Sequence, residues 1–146
     1  MHVIDVLTGS GAQTPSRAMR LARPLLAAGA AAAAVAFVGL VDPNEPGHYP
    51  TCPFLALTGW YCPGCGSLRA THALVHGDLG AAFQLNPLLV LATPAIVVAW
   101  ALWLRREVRD RARERVLPAA WIWALLVVVL AFGVLRNLPA GAWLAP

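Results

Sequence analysis

Five side chains that can ligate a metal ion lie close together in the chain. They are Cys52, Cys62, Cys65, His72 and His76. Cys62 and Cys65 belong to the sequence CPGCG at residues 62–66, and a tight turn of this kind can direct two sulfurs at one ion. His72 and His76 have i,i+4 spacing, which lets two imidazoles on one helix face share an ion. The pattern predicts a metal site with these five side chains as candidate ligands and zinc or iron as candidate metals.

Disulfide chemistry is the second interpretation of the same cysteines. In an oxidising compartment Cys52 could form a structural bridge with Cys62 or Cys65. Cys62 and Cys65 could instead exchange disulfides, which would make the chain a membrane-bound thiol–disulfide redox enzyme. No thioredoxin-like βαβ pattern accompanies the motif, and an odd number of cysteines leaves one thiol outside any single bridge. In a third interpretation the cysteines are small apolar side chains in a buried turn, and the protein is a structural or accessory subunit.

Three further polar residues follow the cysteines: Arg69, Asp78 and Asn86. They are predicted to form a supporting polar network, with an ion pair between Arg69 and Asp78. The chain contains no nucleophile–base set, phosphate loop or carboxylate pair, which favours a role other than enzymatic catalysis.

Short helices are expected to position these side chains. Ser67 is predicted to cap a helix with the sequence LRATHALVH, so that CPGCG lies at the helix N-terminus. The partial positive charge there, with Arg69 one turn further on, is expected to lower the pKa of the thiols. The preceding residues 42–66 are rich in proline and glycine and are predicted to be irregular. A second short helix, LGAAFQL, is expected to lead to Asn86.

The composition places this segment in a membrane protein. Hydrophobic residues make up 59% of the chain and charged residues 12%, whereas soluble domains carry about 25% charged residues. Three apolar runs without a charge, at about 24–41, 87–104 and 116–135, are each long enough to cross the hydrocarbon layer. The first run also fits a cleaved signal peptide, with an A-x-A site at 34–36. The arginines flank apolar runs, which argues against nucleic acid as a partner.

Arginine distribution predicts the orientation. All eleven basic residues are arginine, and nine of them lie before the first run or within 105–115. Basic residues stay in the cytoplasm, so the N-terminus is predicted inside and residues 42–86 and the C-terminus outside. The overall prediction is an all-α bacterial plasma-membrane protein with a cytoplasmic basic tail (1–23) and a single membrane domain (24–146). This domain is predicted to consist of three transmembrane helices, a Cys-rich extracytoplasmic loop and one or two short interfacial helices. The expected partners are the lipid bilayer and a second copy or another membrane protein.

The assembled motifs resemble a family of small bacterial membrane proteins known as a domain of unknown function. Its signature corresponds to Cys52-Pro53, Thr58-Gly59, CPGCG at 62–66, Arg69, Gly77-Asp78 and Asn86-Pro87. The resemblance covers about residues 50–90 and the flanking helices, with a small departure where the family usually has threonine near Ser67 or Leu68. It implies the membrane architecture and brings no established activity.

Overall fold

The computed structural model describes residues 16–45, 47–109 and 118–146, and every regular element in these ranges is helical. The elements are α1 (Arg17–Leu40), α2 (Pro53–Thr58), α3 (Ser67–Val75), α4 (Leu79–Leu85), α5 (Pro87–Val108), α6 (Ala119–Leu135) and a C-terminal 3₁₀-helix (Pro139–Leu144). The all-α prediction is confirmed. Residues 1–15 of the predicted tail, residues 110–115 of the predicted inner loop and residues 116–117 of the third apolar run lie outside the described residues.

Two helices, α1 and α5, are long and apolar enough to cross a membrane. Only 11% of the apolar window of α1 and 6% of that of α5 are buried inside the protein, whereas the core helix of a soluble fold is mostly buried. α1 begins at Arg17 and not at Pro24, which puts the three N-terminal arginines in its first turns. The third apolar helix, α6, has 17 residues. It is shorter than the other two, and its crossing of the membrane stays a prediction.

Small residues and one indole join the long helices to the short ones. The indole N–H of Trp100, late in α5, donates to the Pro24 carbonyl near the start of α1 at 3.0 Å, so the two helices run antiparallel. At the opposite end α1 packs on α3, where a Cβ on Gly39 would lie 2.9 Å from Val75. α3 and α4 pack together through alanines, and Ala70 and Ala82 are fully buried.

Two local expectations for residues 42–86 are corrected. The proline-rich stretch is not wholly irregular, since Pro53 starts the short helix α2 and Gly59, at φ 72°, ends it. Ser67 does not cap α3. Gly66 occupies the N-cap with φ 80°, and a Cβ there would lie 2.5 Å from the Leu85 carbonyl oxygen. The position therefore needs glycine both for its backbone conformation and for the close approach of α4.

The C-terminal residues fold back onto the CPGCG turn. The 3₁₀-helix packs against both α6 and α4. Near the end of α6, a Cβ on Gly133 would lie 2.9 Å from the Pro63 ring, so the turn contacts the helix backbone directly. The start of α5, through Asn86, and the residue after α6, Arg136, thus both contact the CPGCG turn.

Candidate metal centre

The three thiols converge at one point. The Cys62 sulfur lies 3.7 Å from the Cys52 sulfur and 3.4 Å from the Cys65 sulfur, and all three sulfurs are within 4.8 Å of one another. All three cysteines are free, and these separations are much longer than the 2.05 Å of a disulfide bond. The turn itself brings Cys62 and Cys65 together through a hydrogen bond from the Cys65 N–H to the Cys62 carbonyl. Cys52 arrives from the N-cap of α2.

The backbone of the CPGCG turn is held from one side by Asn86. Its amide nitrogen donates to the carbonyls of Pro63 at 3.0 Å and Cys65 at 3.2 Å, and to the Ser67 hydroxyl oxygen at 3.0 Å. Its amide oxygen accepts the N–H of Leu89 in the first turn of α5. Asn86 is 1% exposed. One buried side chain therefore both caps α5 and fixes the path of the turn between the two cysteines.

Arg136 holds the same turn from the other side. Its Nη1 donates to the carbonyls of Cys62 at 2.9 Å, Cys65 at 3.1 Å and, at a longer 3.4 Å, Pro63. Its Nη2 donates to the Leu144 carbonyl at 3.0 Å, and its guanidinium lies over the Phe132 ring at 4.9 Å. Arg136 is 1% exposed. Among the described residues, the charge of this buried arginine is met by carbonyl oxygens and aromatic rings, and it favours negative charge on the nearby sulfurs.

Asn137 adds a third hold immediately before the motif. Its amide oxygen accepts the Tyr61 N–H at 2.8 Å, and its amide nitrogen donates to the carbonyls of Tyr61 at 2.9 Å and Gly133 at 2.7 Å. This pairing satisfies both backbone groups of Tyr61, as a neighbouring strand would. The end of α6 thus binds the turn through two consecutive polar side chains.

The pKa values of Cys52 and Cys65 are shifted in opposite directions. The backbone N–H of Leu55 in α2 is the main cause that lowers the pKa of Cys52, although no hydrogen bond from its sulfur caps the helix. Burial raises the pKa of Cys65 to about 11, and the neighbouring Cys62 sulfur adds to this. The expectation that the helix N-terminus would lower the thiol pKa is therefore wrong for Cys65. Burial also lowers the pKa of Arg136, while negative charge on Cys65 and Cys62 opposes this.

The predicted imidazole ligands lie elsewhere. Nδ1 of His72 is 2.8 Å from the Val38 carbonyl oxygen of α1, and its Nε2 is 3.9 Å from an Asp42 carboxylate oxygen. Nδ1 of His76 is 2.8 Å from the His72 carbonyl oxygen. The two rings pack on each other at 4.3 Å. Among the described residues, neither imidazole joins the group of ligand atoms formed by the three thiols.

The predicted polar network divides in a similar way. Asn86 holds the turn, as described. Asp78 instead caps α4 by accepting the Ala81 N–H at 2.8 Å. Among the described residues Arg69 makes no ion pair with Asp78. It lines an open cleft of about 410 Å³ whose wall also includes all three cysteines.

Sequence reasoning missed two residues that support the site. Arg136 bonds the turn itself, and Asn137 bonds the residue before it. A signal was present, because Arg136 is a lone charge directly after an apolar run. An ionisable residue at such a position is a functional candidate, and its neighbour is a second polar residue in an otherwise apolar tail.

Fold and site together define a helical protein with two helices suited to crossing a membrane and a three-cysteine cluster at one end of them. Residues 52–100 match the family described as protein of unknown function (DUF2752). The match covers the cysteine cluster, α2 to α4 and the first part of α5, and it confirms the resemblance over those residues. No curated protein and no solved structure matches the chain.

Proposed function

We propose that this chain is a multi-pass protein of the bacterial plasma membrane whose three cysteines bind a transition-metal ion on the extracytoplasmic side. The observation that carries the proposal is the spacing of the sulfurs, 3.4 and 3.7 Å about Cys62. Sulfurs bound to a tetrahedral ion at about 2.3 Å would lie about 3.8 Å apart. The cluster therefore needs little rearrangement to accept zinc or iron.

The surroundings support thiolate ligation. Zinc and iron bind the deprotonated sulfur, so a raised pKa at Cys65 means that the ion must displace a proton when it binds. Three thiolates around a divalent ion carry one net negative charge, and the buried guanidinium of Arg136 lies behind the turn that bears two of them. This arrangement lowers the cost of the negative site in a poorly hydrated region.

The membrane orientation rests on the arginine distribution, with α1, α5 and α6 as the three spans. In this orientation the cysteine cluster and the C-terminal 3₁₀-helix face the outside. Membrane-impermeant thiol reagents applied to intact, mildly reduced cells are then expected to label the cysteines. Labelling that occurs only after lysis would contradict the orientation.

The metal proposal is tested on full-length protein purified in detergent without chelator. We expect stoichiometric zinc or iron by elemental analysis, and three alkylatable thiols once the metal is removed under reducing conditions. The matched controls are Cys52→Ser, which removes a ligand, and His72→Ala, which changes a nearby imidazole that contacts α1 instead.

A thiol–disulfide function is the second candidate, because the Cys62 sulfur is in contact with both other sulfurs and could pair with either. It predicts protein without metal, one free thiol, and a reversible two-thiol change near physiological potentials. That result would overturn the metal proposal.

A further inference from the structure

The three-cysteine cluster lacks a fourth protein ligand among the described residues. Structural zinc sites are almost always four-coordinate, whereas sites with three protein ligands leave a position for an exchangeable one. The nearby polar groups are engaged elsewhere: the Asn86 oxygen by Leu89, the Ser67 hydroxyl by Asn86, and His72 by Val38. An ion held by the thiols would therefore keep an open position.

The open position faces a space large enough for a small molecule. The cleft of about 410 Å³ is lined by all three cysteines, and its volume lies within the range of about 300–1,000 Å³ typical of small-molecule sites. Apolar side chains form much of its remaining wall, among them Leu55, Tyr61 and Leu68. A ligand here would combine a metal-binding group with apolar contact area.

The charge in the cleft selects the metal-binding group. Arg69 lines the cleft and, among the described residues, has neither an ion pair nor a hydrogen bond from its side chain. Arg136, the other arginine at this end, is committed to the carbonyls of Cys62, Cys65 and Leu144. A guanidinium presents planar paired donors that match a carboxylate, and carboxylate oxygen is also an established zinc ligand.

We propose that the cleft binds a small organic carboxylate that occupies the metal's open position and pairs with Arg69. This inference rests on the proposed metal site. The carboxylate places one oxygen on the ion and donates no proton, so the three thiolates and the ion keep their charges. Its organic part lies against the apolar wall, which distinguishes it from inorganic anions and from water as the fourth ligand.

The test uses full-length reduced protein in detergent, loaded with Co²⁺ as a spectroscopic substitute for zinc. Thiolate-to-Co²⁺ charge-transfer absorption reports the cysteine site, and the d–d bands report what fills the remaining position. Butyrate is expected to shift the d–d bands saturably. Butyramide has nearly the same shape without the charge, and it is expected to leave them unchanged.

Arg69→Gln is expected to weaken butyrate binding about tenfold or more, the usual value of one charge-assisted hydrogen bond. Co²⁺ affinity should stay within about twofold, because Arg69 is not a ligand. Arg105→Gln, an arginine near the far end of α5, is the matched control and should behave as the unaltered protein does.

The possible failures are distinguishable. Charge-transfer bands that form normally, with d–d bands that respond equally to butyrate and butyramide or not at all, overturn the carboxylate inference alone. Unchanged butyrate affinity in Arg69→Gln also overturns it. Absence of cysteine-dependent charge-transfer bands overturns the metal proposal and the carboxylate inference with it. The comparison of butyrate with butyramide needs only the unaltered chain, so it decides the matter even if a variant fails to fold.

Discussion

The CPGCG turn and the imidazole pair lie at opposite ends of one short helix, α3, yet their surroundings differ. The turn and the residue before it are held by three polar side chains at the start of α5 and just after α6, namely Asn86, Arg136 and Asn137. His72 instead contacts Val38 at the end of α1 and lies near Asp42, while His76 packs on the His72 ring. Both regions contain good metal ligands. Among the described residues, polar side chains from elsewhere in the chain hold the turn that carries two of the thiols, and no such group holds the imidazoles around one point. Ligand chemistry in the sequence is therefore not sufficient, because a site also needs side chains that hold its backbone in place.

The largest expected effect concerns the ligands themselves. Cys62→Ser removes the central sulfur and should reduce metal affinity by about 100-fold or more, since even groups behind a metal's ligands are worth about 10–100-fold. Competition with a chromophoric chelator measures the affinity. If His76→Ala lowered metal affinity as much as Cys62→Ser does, the imidazoles would belong to the metal site and the contrast between the two regions would be wrong.

Arg136 provides the second test, because it is the buried charge that holds the turn. Arg136→Met removes the guanidinium hydrogen bonds to the carbonyls of Cys62, Cys65 and Leu144 and takes away the buried charge that holds the turn. The loss should cost about 3 kcal/mol of stability or more, although the first two carbonyls keep one other donor each;. Metal affinity should fall by about 10–100-fold. Thermal unfolding in detergent and chelator competition measure the two effects. Arg136→Lys keeps the charge but loses the paired guanidinium donors. Its stability and metal affinity should therefore lie between those of Arg136→Met and those of the unaltered chain.

If Arg136→Met bound metal as the unaltered chain does, with an unchanged unfolding midpoint, the turn would not depend on α6. The support that we assign to Arg136, just after α6, would then be wrong. Asn137→Ala is a useful companion variant, because it removes the hold on Tyr61 without removing a charge.

The acidity of the thiols gives a third, smaller effect in the metal-free protein. Because the pKa of Cys52 is lowered and that of Cys65 is raised to about 11, iodoacetamide at neutral pH should modify Cys52 about tenfold faster or more. Mass spectrometry of timed samples measures the two rates. Equal rates would show that burial does not protect Cys65.

The same difference has a consequence for stability against pH. The pKa of Cys65 in the fold, about 11, lies above its ordinary value of 9.0, so the fold favours the protonated thiol. This contribution is fully present below pH 9.0 and is lost as pH rises through about 11;. Metal-free protein should therefore lose stability over that interval, and Cys65→Ala should lose less.

The smallest effect is expected at the imidazoles. His72→Ala removes one contact to the Val38 carbonyl of α1 and should lower stability by about 1 kcal/mol, with metal affinity unchanged within about twofold. Unfolding in detergent and chelator competition measure both quantities in one preparation. A marked loss of metal affinity would place His72 in the site and remove the distinction between the two regions.

Much of the architecture was predictable from the chain because lipid imposes a simple rule. An uncharged apolar run must satisfy its backbone internally, so the runs beginning near Pro24 and Pro87 read directly as helices, and both are present. The structure of residues 42–86 was harder to predict. The short helix α2 contradicts the irregular prediction because Pro53 suits a first helical turn even in a proline-rich context. Gly66 displaced Ser67 as the cap because α4 approaches too closely for any Cβ.

By itself the sequence determined the helical class and the residues capable of binding metal, since composition and spacing act locally along the chain. Only the tertiary structure decided which of those residues meet. Cys52 meets Cys62 and Cys65 at a turn that is fixed by Asn86 and by Arg136, and Arg136 lies more than 70 residues from that turn along the chain. The periodicity of α3 gives the shared face of His72 and His76 but not the neighbour that the face meets. That neighbour is the end of α1, since helix packing depends on contacts between distant segments that no local pattern encodes.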